Sequence, residues 1–365
     1  MSLAIHRIGI AVPPETISQD DGLQVARALA AATPEQETWL PGMYKGTGIR
    51  SRGISFSSQL VCDVLEGTRL SDSPFLPTGD PTDRGPSTGI RLQYYAQLAP
   101  PLALTACREA IAAADVEPAA FTHLITVSCT GFMAPGLDRY LTFALGLRPT
   151  IERTQVGFMG CHGAINGLRV ANALACQPGS RVLLCAVELC SLHYHYSYNP
   201  SKMIANAIFA DGAAALVGHS AKDHEPWRVL ATGSCYIPNS EDAMTWTIGD
   251  NGFEMTLARN VPGLIARHLR PWLEDWLGRL GVGLDGVRSW AVHPGGPKIL
   301  VAVEEALQLK PTALATSREV FADHGNMSSP TVLFILRRLM EQQAARPCLM
   351  LGFGPGLVAE AALVG

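Results

Sequence analysis

The sequence predicts an α/β protein built from two similar halves, in which helices cover buried sheets. The first observation is a faded internal duplication with an offset of 165 positions. This offset superimposes Ser128 on His293, Cys161 on Asn326 and Arg181 on Arg346. The second observation is that short apolar runs alternate with longer runs of helical spacing, which is typical of strands alternating with helices. Together the two observations predict a layered α-β-α-β-α architecture.

The composition also fits two packed halves, which we place at residues 1–220 and 221–365. A chain of 365 residues exceeds the usual size of one hydrophobic core. Its 47% hydrophobic and 16% charged residues exclude an intrinsically disordered protein. The net charge of −4 gives no general attraction to nucleic acid or anionic membranes. No apolar run reaches the roughly 18 residues that span a bilayer, and the N-terminal residues lack a secretion signal. The sequence therefore predicts a cytoplasmic protein.

The elements of the N-terminal half follow from local patterns. In chain order they are a first strand within residues 1–15, a surface loop over 70–95, a helix over 101–114, a strand over 123–128, a helix from Cys161 to about Ala175 and a strand over 181–188. The 101–114 helix is rich in alanine and apolar at helical spacing. Segment 70–95 is rich in Pro, Gly, Ser and Asp, and we find no chemistry in it.

The C-terminal half repeats the same order of elements. Its patterns predict a helix over 261–279, a strand over 289–293, a helix over 327–343 and a strand over 347–352. The apolar strands are short and lack polar alternation, which indicates sheets buried on both faces.

Cys161 differs from the other eight cysteines, which are scattered mostly in apolar runs without a CxxC pair and are expected to be reduced. Gly160 and Gly163 bracket it, and a predicted helix begins at its side chain. A helix N-terminus carries partial positive charge and favours the thiolate. The position therefore predicts a nucleophile, although a buried cysteine beside a tight turn is the simpler alternative.

His293 and Asn326 complete a candidate site. His293 follows an apolar strand and precedes a glycine-proline loop, and Asn326 stands at the start of the second-half helix. Packing of the histidine and N-capping by the asparagine are the structural alternatives. A shared site explains all three residues together.

Five segments carry a resemblance over essentially the whole length. They are MGCHGA around Cys161, FADGAA at 209–214, WAVHPGGP at 290–297, HGNMSSP at 324–330 and GFGPG at 352–356. In order and spacing the chain resembles the type III polyketide synthases of the chalcone and stilbene synthase family. The resemblance implies a thiolase-like fold, with the nucleophilic cysteine in the N-terminal half, and a homodimer.

The resemblance also implies roles for individual residues. Cys161 would carry the acyl chain, while His293 and Asn326 would hold the malonyl thioester carbonyl. The other implied positions are the gate residues Phe209 and Met255, where the family has two phenylalanines, the cavity residues Cys129, His193, Trp246 and Ser328, and Lys45 at a coenzyme A phosphate. Two further basic positions of the family are Thr38 and Pro41 in this sequence, a departure that affects coenzyme A binding.

The implied reaction loads an acyl-CoA starter, extends it with malonyl-CoA by decarboxylative condensation and cyclises the product. A thiolate holds an acyl group well, and two neutral donors can stabilise the enolate charge. A positively charged His293 would in addition lower the pKa of Cys161. No cofactor beyond the coenzyme A thioesters and no metal is implied.

Two segments look closer to bacterial members with fatty acyl starters, namely VSCTGFMAPG and IGDNGFEMTLARNVPG. This similarity favours an alkylpyrone or alkylresorcinol product. Trp246 would close the space used for bulky cyclised products.

Alternatives remain at this point. A ketoacyl synthase III-like enzyme would share the three residues but condense once, and a chalcone- or stilbene-type synthase would use aromatic starters. A papain-like protease has the same residue order but a different sequence around its cysteine. A non-catalytic binding protein could keep the fold, though the intact set argues against it. His193 and His195 share a strand face without a visible third ligand, so a metal site is not favoured.

Overall fold

The structure is a computed structural model that describes residues 2–30, 33–80, 82–222 and 225–365. Its strands are β1 Leu3–Ala11, β2 Thr16–Ser18, β3 Ser51–Gly53, β4 His123–Ser128, β5 Glu152–Gly157, β6 Arg181–Leu189, β7 Asp211–Ser220, β8 Val229–Tyr236, β9 Met244–Gly249, β10 Gly252–Leu257, β11 Ser289–Val292, β12 Cys348–Gly354 and β13 Val358–Val364. Its α-helices are α1 Gln19–Ala30, α2 Pro34–Lys45, α3 Ser58–Glu66, α4 Thr88–Ala114, α5 Leu137–Ala144, α6 Gly163–Leu174, α7 Pro200–Ile208, α8 Val261–Arg279, α9 Pro297–Leu307, α10 Ala315–His324 and α11 Thr331–Glu341.

Two large sheets organise these elements. The first has the order β1-β7-β6-β4-β5, in which β4 is parallel to β5 and β6. The second has the order β11-β12-β13-β8, in which β11 and β12 are parallel. Strands β9 and β10 form a separate antiparallel hairpin. Corresponding parallel strands thus lie in both halves, as the internal duplication predicts.

The sheets bury both faces, and the side chains of each strand alternate between two apolar cores. On β6, Leu184 and Ala186 belong to a central core with α6 and α11, while Leu183 and Cys185 pack with α4 and α5 on the outer face. On β12, Met350 faces the central core, and its neighbours pack with α8 and α9. The layers are therefore helices, sheet, helices, sheet and helices, and the predicted five-layer architecture is confirmed.

Most of the predicted elements are present, and the 261–279 helix matches its predicted bounds. The prediction of a surface loop over 70–95 is partly wrong, because α4 begins at Thr88 with Ser87 as its N-cap. The segment also has a structural role. Arg91 is fully buried and donates to the backbone carbonyl oxygens of Leu192 and Tyr194. The prolines and glycines before residue 87 therefore obscured the first two turns of a long helix.

The helix predicted over 327–343 begins later, at Thr331. Ser328 has a φ of 57°, in the left-handed region, which interrupts a helical path. Asn326 is therefore part of a tight turn before the helix and is not its N-cap. In the described ranges, no helix is both long and apolar enough to cross a bilayer.

Candidate active site

Cys161 lies in a 3-10 turn, Gly160–His162, between β5 and the first residue of α6. Gly160 has a φ of 77°, and a Cβ there would stand 2.4 Å from Cδ of Pro355. Glycine is therefore required where this turn meets the loop after β12. The cysteine is only 7% exposed. The sequence prediction of a cysteine at a helix start is confirmed.

Cys161 lines a small chamber. The predicted cavity residues Cys129, Trp246 and Ser328 and both predicted gate residues, Phe209 and Met255, line the same chamber. Residues more than 190 positions apart in the sequence therefore meet around one thiol.

Asn326 and Ser328 face Cys161 from the turn before α11. Asn326 Oδ1 accepts a hydrogen bond from the Ser328 backbone N–H at 2.8 Å, and its Nδ2 group has no hydrogen-bond partner among the described residues. Burial raises the pKa of Cys161 to about 11, although the nearby side chains of Ser328 and Asn326 oppose this rise. The hydrogen bond at the helix start also lowers the pKa of Cys161, as expected from the sequence, but desolvation outweighs it.

His293 lies at the end of β11, and its backbone N–H donates to Leu351 O of β12 at 2.8 Å. The turn that carries Cys161 packs on the same strand, with His162 against Gly352. His293 is 1% exposed, and neither of its ring nitrogens has a hydrogen-bond partner in the described part of the chain. Burial, followed by the neighbouring His162, lowers the pKa of His293 to about 3. His293 is therefore neutral, and the positive charge that would lower the pKa of Cys161 is missing.

A larger cavity lies behind the chamber. Four residues line both spaces and so form the partition between them: Cys190, Phe209, Trp246 and Met255. Trp246 and Met255 are cross-strand partners on the β9–β10 hairpin. The Trp246 indole N–H donates to Cys129 O at 2.8 Å, which fixes the ring in the partition.

The walls of the larger cavity are mainly apolar. Helices α1 and α3 and the neighbouring segments contribute Val25, Leu29, Leu60, Val61, Val64 and Phe75. Ile54, Phe56 and Leu60 also line an open surface groove, so only a thin wall separates the distal end of the cavity from solvent. The sequence patterns did not indicate this cavity, because its walls come from elements that are distant in the chain.

His193 lies in the 3-10 turn Cys190–His193, not on a strand, and lines the larger cavity but not the chamber. Its Nδ1 accepts a hydrogen bond from the Phe253 backbone N–H at 2.9 Å, so Nε2 donates to Thr130 O at 2.7 Å. Its ring stacks on Phe253 with 4.3 Å between centroids, and burial lowers its pKa to about 3. Both ring nitrogens of His193 therefore hold the ring in place through hydrogen bonds to the backbone. Within the described residues, no group of three or more His, Cys, Asp or Glu side chains is placed to hold a metal ion.

Lys45 is the last residue of α2 and is exposed. It lines neither the chamber nor the larger cavity. The structure therefore places it apart from the other predicted site residues.

Glu188 is a site residue that the sequence analysis missed. It is fully buried near the end of β6, and all of its hydrogen-bond partners in the described ranges are neutral. They are the backbone N–H groups of Cys129 and Thr130 and the side chains of Ser128, Cys129, Thr130 and Ser329. Tyr95 extends the network by donating to Ser128 Oγ at 2.7 Å. The available signal was a single carboxylate inside the apolar run RVLLCAVEL.

Both halves match known domain families. Residues 3–221 match the N-terminal domain of chalcone and stilbene synthases, and residues 229–365 match their C-terminal domain. The crystal structure of PKS-I from the brown alga Ectocarpus siliculosus superimposes with a TM-score of 0.89 at 30% identity, covering 100% of this chain and 98% of that one.

Two curated relatives have similar lengths. The 1,3,6,8-tetrahydroxynaphthalene synthase of Streptomyces peucetius is 30% identical over 99% of this chain and 92% of its own. The α-pyrone synthesis polyketide synthase-like Pks18 of Mycobacterium tuberculosis is 29% identical over 98% and 94%. These matches confirm the thiolase-like fold and the resemblance drawn from the five motifs. The chain belongs to the chalcone and stilbene synthase family and is a type III polyketide synthase, an acyltransferase.

Proposed function

We propose that Cys161 accepts the acyl group of an acyl-CoA starter and that His293 and Asn326 hold the thioester carbonyl of malonyl-CoA. The observation that carries this proposal is a set of buried nitrogens without partners, namely both ring nitrogens of His293 and Nδ2 of Asn326. Buried donors are rarely left unpaired unless a ligand satisfies them. Their place beside the Cys161 turn identifies the ligand as a group that reacts with the thiol.

The neutral state of His293 suits the extension step. Loss of carbon dioxide from malonyl-CoA leaves an enolate whose negative charge lies on the thioester oxygen. A neutral imidazole N–H and an amide N–H stabilise this charge, and removing one such donor typically costs about 3–4 kcal/mol of barrier. The enolate carbon then attacks the acyl group on Cys161, and the lengthened chain returns to the cysteine for the next round.

The starter that best fits is a fatty acyl-CoA. The larger cavity is lined by aliphatic side chains of α1 and α3, and each methylene buried in such a space contributes about 0.8 kcal/mol. Trp246 and Met255 stand between this cavity and Cys161, where they limit the space for a bulky cyclised product. The similarity to an α-pyrone synthesis protein supports an alkylpyrone, with an alkylresorcinol as the related product of a different ring closure.

Four further parts of the proposal concern the rest of the molecule and its compartment. Lys45 would contact a phosphate of coenzyme A. Residues 1–220 and 221–365 would form the two duplicated halves. The free edge of β5, close to the exposed side chains of Tyr140 and Phe143, would pair with a second copy in a homodimer. Because acyl-CoA and malonyl-CoA are cytoplasmic substrates, we place the enzyme in that compartment. A solution mass equal to that of one chain would refute the dimer.

The test of the central proposal is acyl loading. Purified protein is incubated with palmitoyl-CoA, and the adduct is located by peptide mass spectrometry. We expect it on Cys161 in the wild type and no adduct in Cys161→Ala, whereas Cys62→Ala, which removes an exposed thiol on α3, loads normally. Addition of malonyl-CoA should then yield alkylpyrones or alkylresorcinols. An adduct confined to another cysteine would overturn the assignment.

A further inference from the structure

The β9–β10 hairpin lies over the site with one face inward and one face outward. Trp246 and Met255 are cross-strand partners and Phe253 stands two residues before Met255, so the three side chains share one face. That face lines the chamber and the larger cavity. The opposite face carries Thr247 and Thr256, which are exposed. The space for substrate is therefore bounded on one side by a ribbon of only two strands.

The base of the hairpin is attached to the C-terminal half of the chain. The Gly356 backbone N–H donates to Met244 O at 2.8 Å, where β9 begins. Met244 is itself buried in the apolar core that contains α8 and α9. The turn of the hairpin, residues 250 and 251, lies at the other end of the strands, about 17 Å from this attachment. The base alone therefore does not fix the position of the turn.

The turn is held by the first residue of α4. The Thr88 hydroxyl donates to Gly249 O and accepts a hydrogen bond from the Gly252 N–H at 2.8 Å. One side chain thus bridges the last residue of β9 and the first residue of β10. The Thr88 backbone N–H in addition donates to Asp250 O at 2.8 Å. A residue of the N-terminal half therefore makes three hydrogen bonds to the tip of the hairpin.

Two further features bring the tip of the hairpin onto α4. Asn251 Nδ2 donates to Gly85 O at 3.0 Å, in the loop before the helix. Gly252 has a φ of 115°, and a Cβ there would stand 3.1 Å from Cδ and Nε of Arg91, on the same helix. Glycine at this position lets the ribbon lie directly against the helix. The tip is thus both packed against α4 and hydrogen-bonded to it.

The tip is close enough to the partition to control its position. Trp246 and Met255 stand three residues from the strand ends that Thr88 bridges, which is about 10 Å. Phe253 lies between them and the tip. Its N–H donates to His193 Nδ1 at 2.9 Å, and its ring meets the indole of Trp246 edge-on with 5.9 Å between centroids. A displacement of the tip therefore moves Phe253 and, through it, the indole.

We propose that Thr88 is a positioning residue for product specificity. By holding the tip of the hairpin it fixes Trp246 and Met255, and so limits the space for the growing polyketide. Thr88 lines neither the chamber nor the larger cavity, so it acts only through the ribbon. The proposal rests on the role of the partition in the function proposed above.

The test compares Thr88→Val, which keeps the shape of the side chain without its hydroxyl, with Thr88→Ser, which keeps the hydroxyl. Hydrogen exchange of the peptide over residues 244–257 is measured by mass spectrometry, and the ratio of longer to shorter polyketides is measured with hexanoyl-CoA as starter. One hydrogen bond changes an equilibrium by about fivefold, so Thr88→Val should raise both the exchange rate and the product ratio by at least about that factor. Thr88→Ser should match the wild type in both.

Matched variants separate the anchor from a general loss of stability. Thr247→Val removes an exposed hydroxyl from the outer face of the same hairpin and should leave the product ratio unchanged. Exchange in β6 should be the same in all the proteins, because this strand lies in the core. Asn251→Ala removes the contact to Gly85 and should raise the product ratio as Thr88→Val does. It carries the test if Thr88→Val does not fold.

The outcomes distinguish this proposal from the function on which it rests. Unchanged hairpin exchange in a folded Thr88→Val protein would overturn the anchor, and faster exchange with an unchanged product ratio would overturn its effect on specificity. A Thr88→Ser protein that behaves as Thr88→Val would also overturn it. Absence of an acyl adduct on Cys161 in the wild type would remove the acyl-carrying role, whereas the exchange data would still decide whether Thr88 holds the hairpin.

Discussion

Val64→Trp is expected to shorten the longest starter that the enzyme accepts. Val64 lies on α3 and lines the larger cavity four residues after Leu60, which belongs to the wall shared with the surface groove. An indole at this position fills the distal part of the cavity and leaves the chamber around Cys161 unchanged. If it displaces about four methylenes of a bound chain, the loss is about 3 kcal/mol, or about 200-fold in kcat/KM for palmitoyl-CoA. Hexanoyl-CoA, which ends before the indole, should react at the wild-type rate.

The assay is the steady-state rate of product formation with hexanoyl-, decanoyl- and palmitoyl-CoA at fixed malonyl-CoA. Leu65→Trp is the matched control, because Leu65 is the next residue on α3 and is 38% exposed. Overpacking typically costs about 1–3 kcal/mol, so thermal unfolding is measured first to show that Val64→Trp is folded. A folded Val64→Trp enzyme that uses palmitoyl-CoA as well as the Leu65→Trp control does would show that the acyl chain lies elsewhere.

Three further predictions follow from the site. Asn326→Ala should still load an acyl group on Cys161 but release carbon dioxide from malonyl-CoA about 100-fold more slowly, measured with labelled malonyl-CoA; an unchanged rate would leave Asn326 a structural residue. Trp246→Phe removes the hydrogen bond to Cys129 O and some volume from the partition, so it should alter starter range or polyketide length in product analysis; unchanged products would make Trp246 simple packing. Burial raises the pKa of Asp211 from 3.8 to about 6, so its contribution to stability is complete below pH 3.8 and falls by about 3 kcal/mol as the pH rises through 6. Asp211→Asn should show less of this loss in chemical unfolding at pH 4 and pH 7, and an equal loss in both proteins would contradict it.

Local patterns were enough to predict the layered fold. The β6 run RVLLCAVEL and the 261–279 helix were placed within a residue or so, because apolar length and spacing are properties of the segment alone. The start of α4 was not predicted, although Ser87 is a good N-cap, because the Pro and Gly residues nearby favour a loop. The family resemblance likewise implied Cys161, Phe209, Trp246 and Met255, which line one chamber in the structure, and Asn326, whose side chain lies close to Cys161.

The protonation states of the site residues and their hydrogen-bond partners could not be predicted from local patterns. Helix-dipole reasoning predicted a thiolate at Cys161, but burial raises its pKa to about 11, and the depth of burial depends on strands from both halves. The role of Glu188 as a site residue could not be predicted for the same reason. A carboxylate in an apolar strand is recognisable in the sequence, whereas its donors after β4 and before α11 become visible only when the sheet is assembled.

The β9–β10 hairpin has a consequence for how enzymes of this kind diversify. It carries Trp246 and Met255, yet it belongs to neither large sheet and is attached near Cys161 through Phe253 stacked on His193. A two-stranded ribbon is only marginally stable alone and takes its position from such contacts. Trp246 belongs to none of the three large apolar cores, whereas Met255 packs against the C-terminal one, so substitutions of Trp246 alter the partition without changing the cores that hold the five layers together. Enzymes that evolve from this one can therefore change their product through substitutions in the β9–β10 hairpin, while the fold and the nucleophile stay the same.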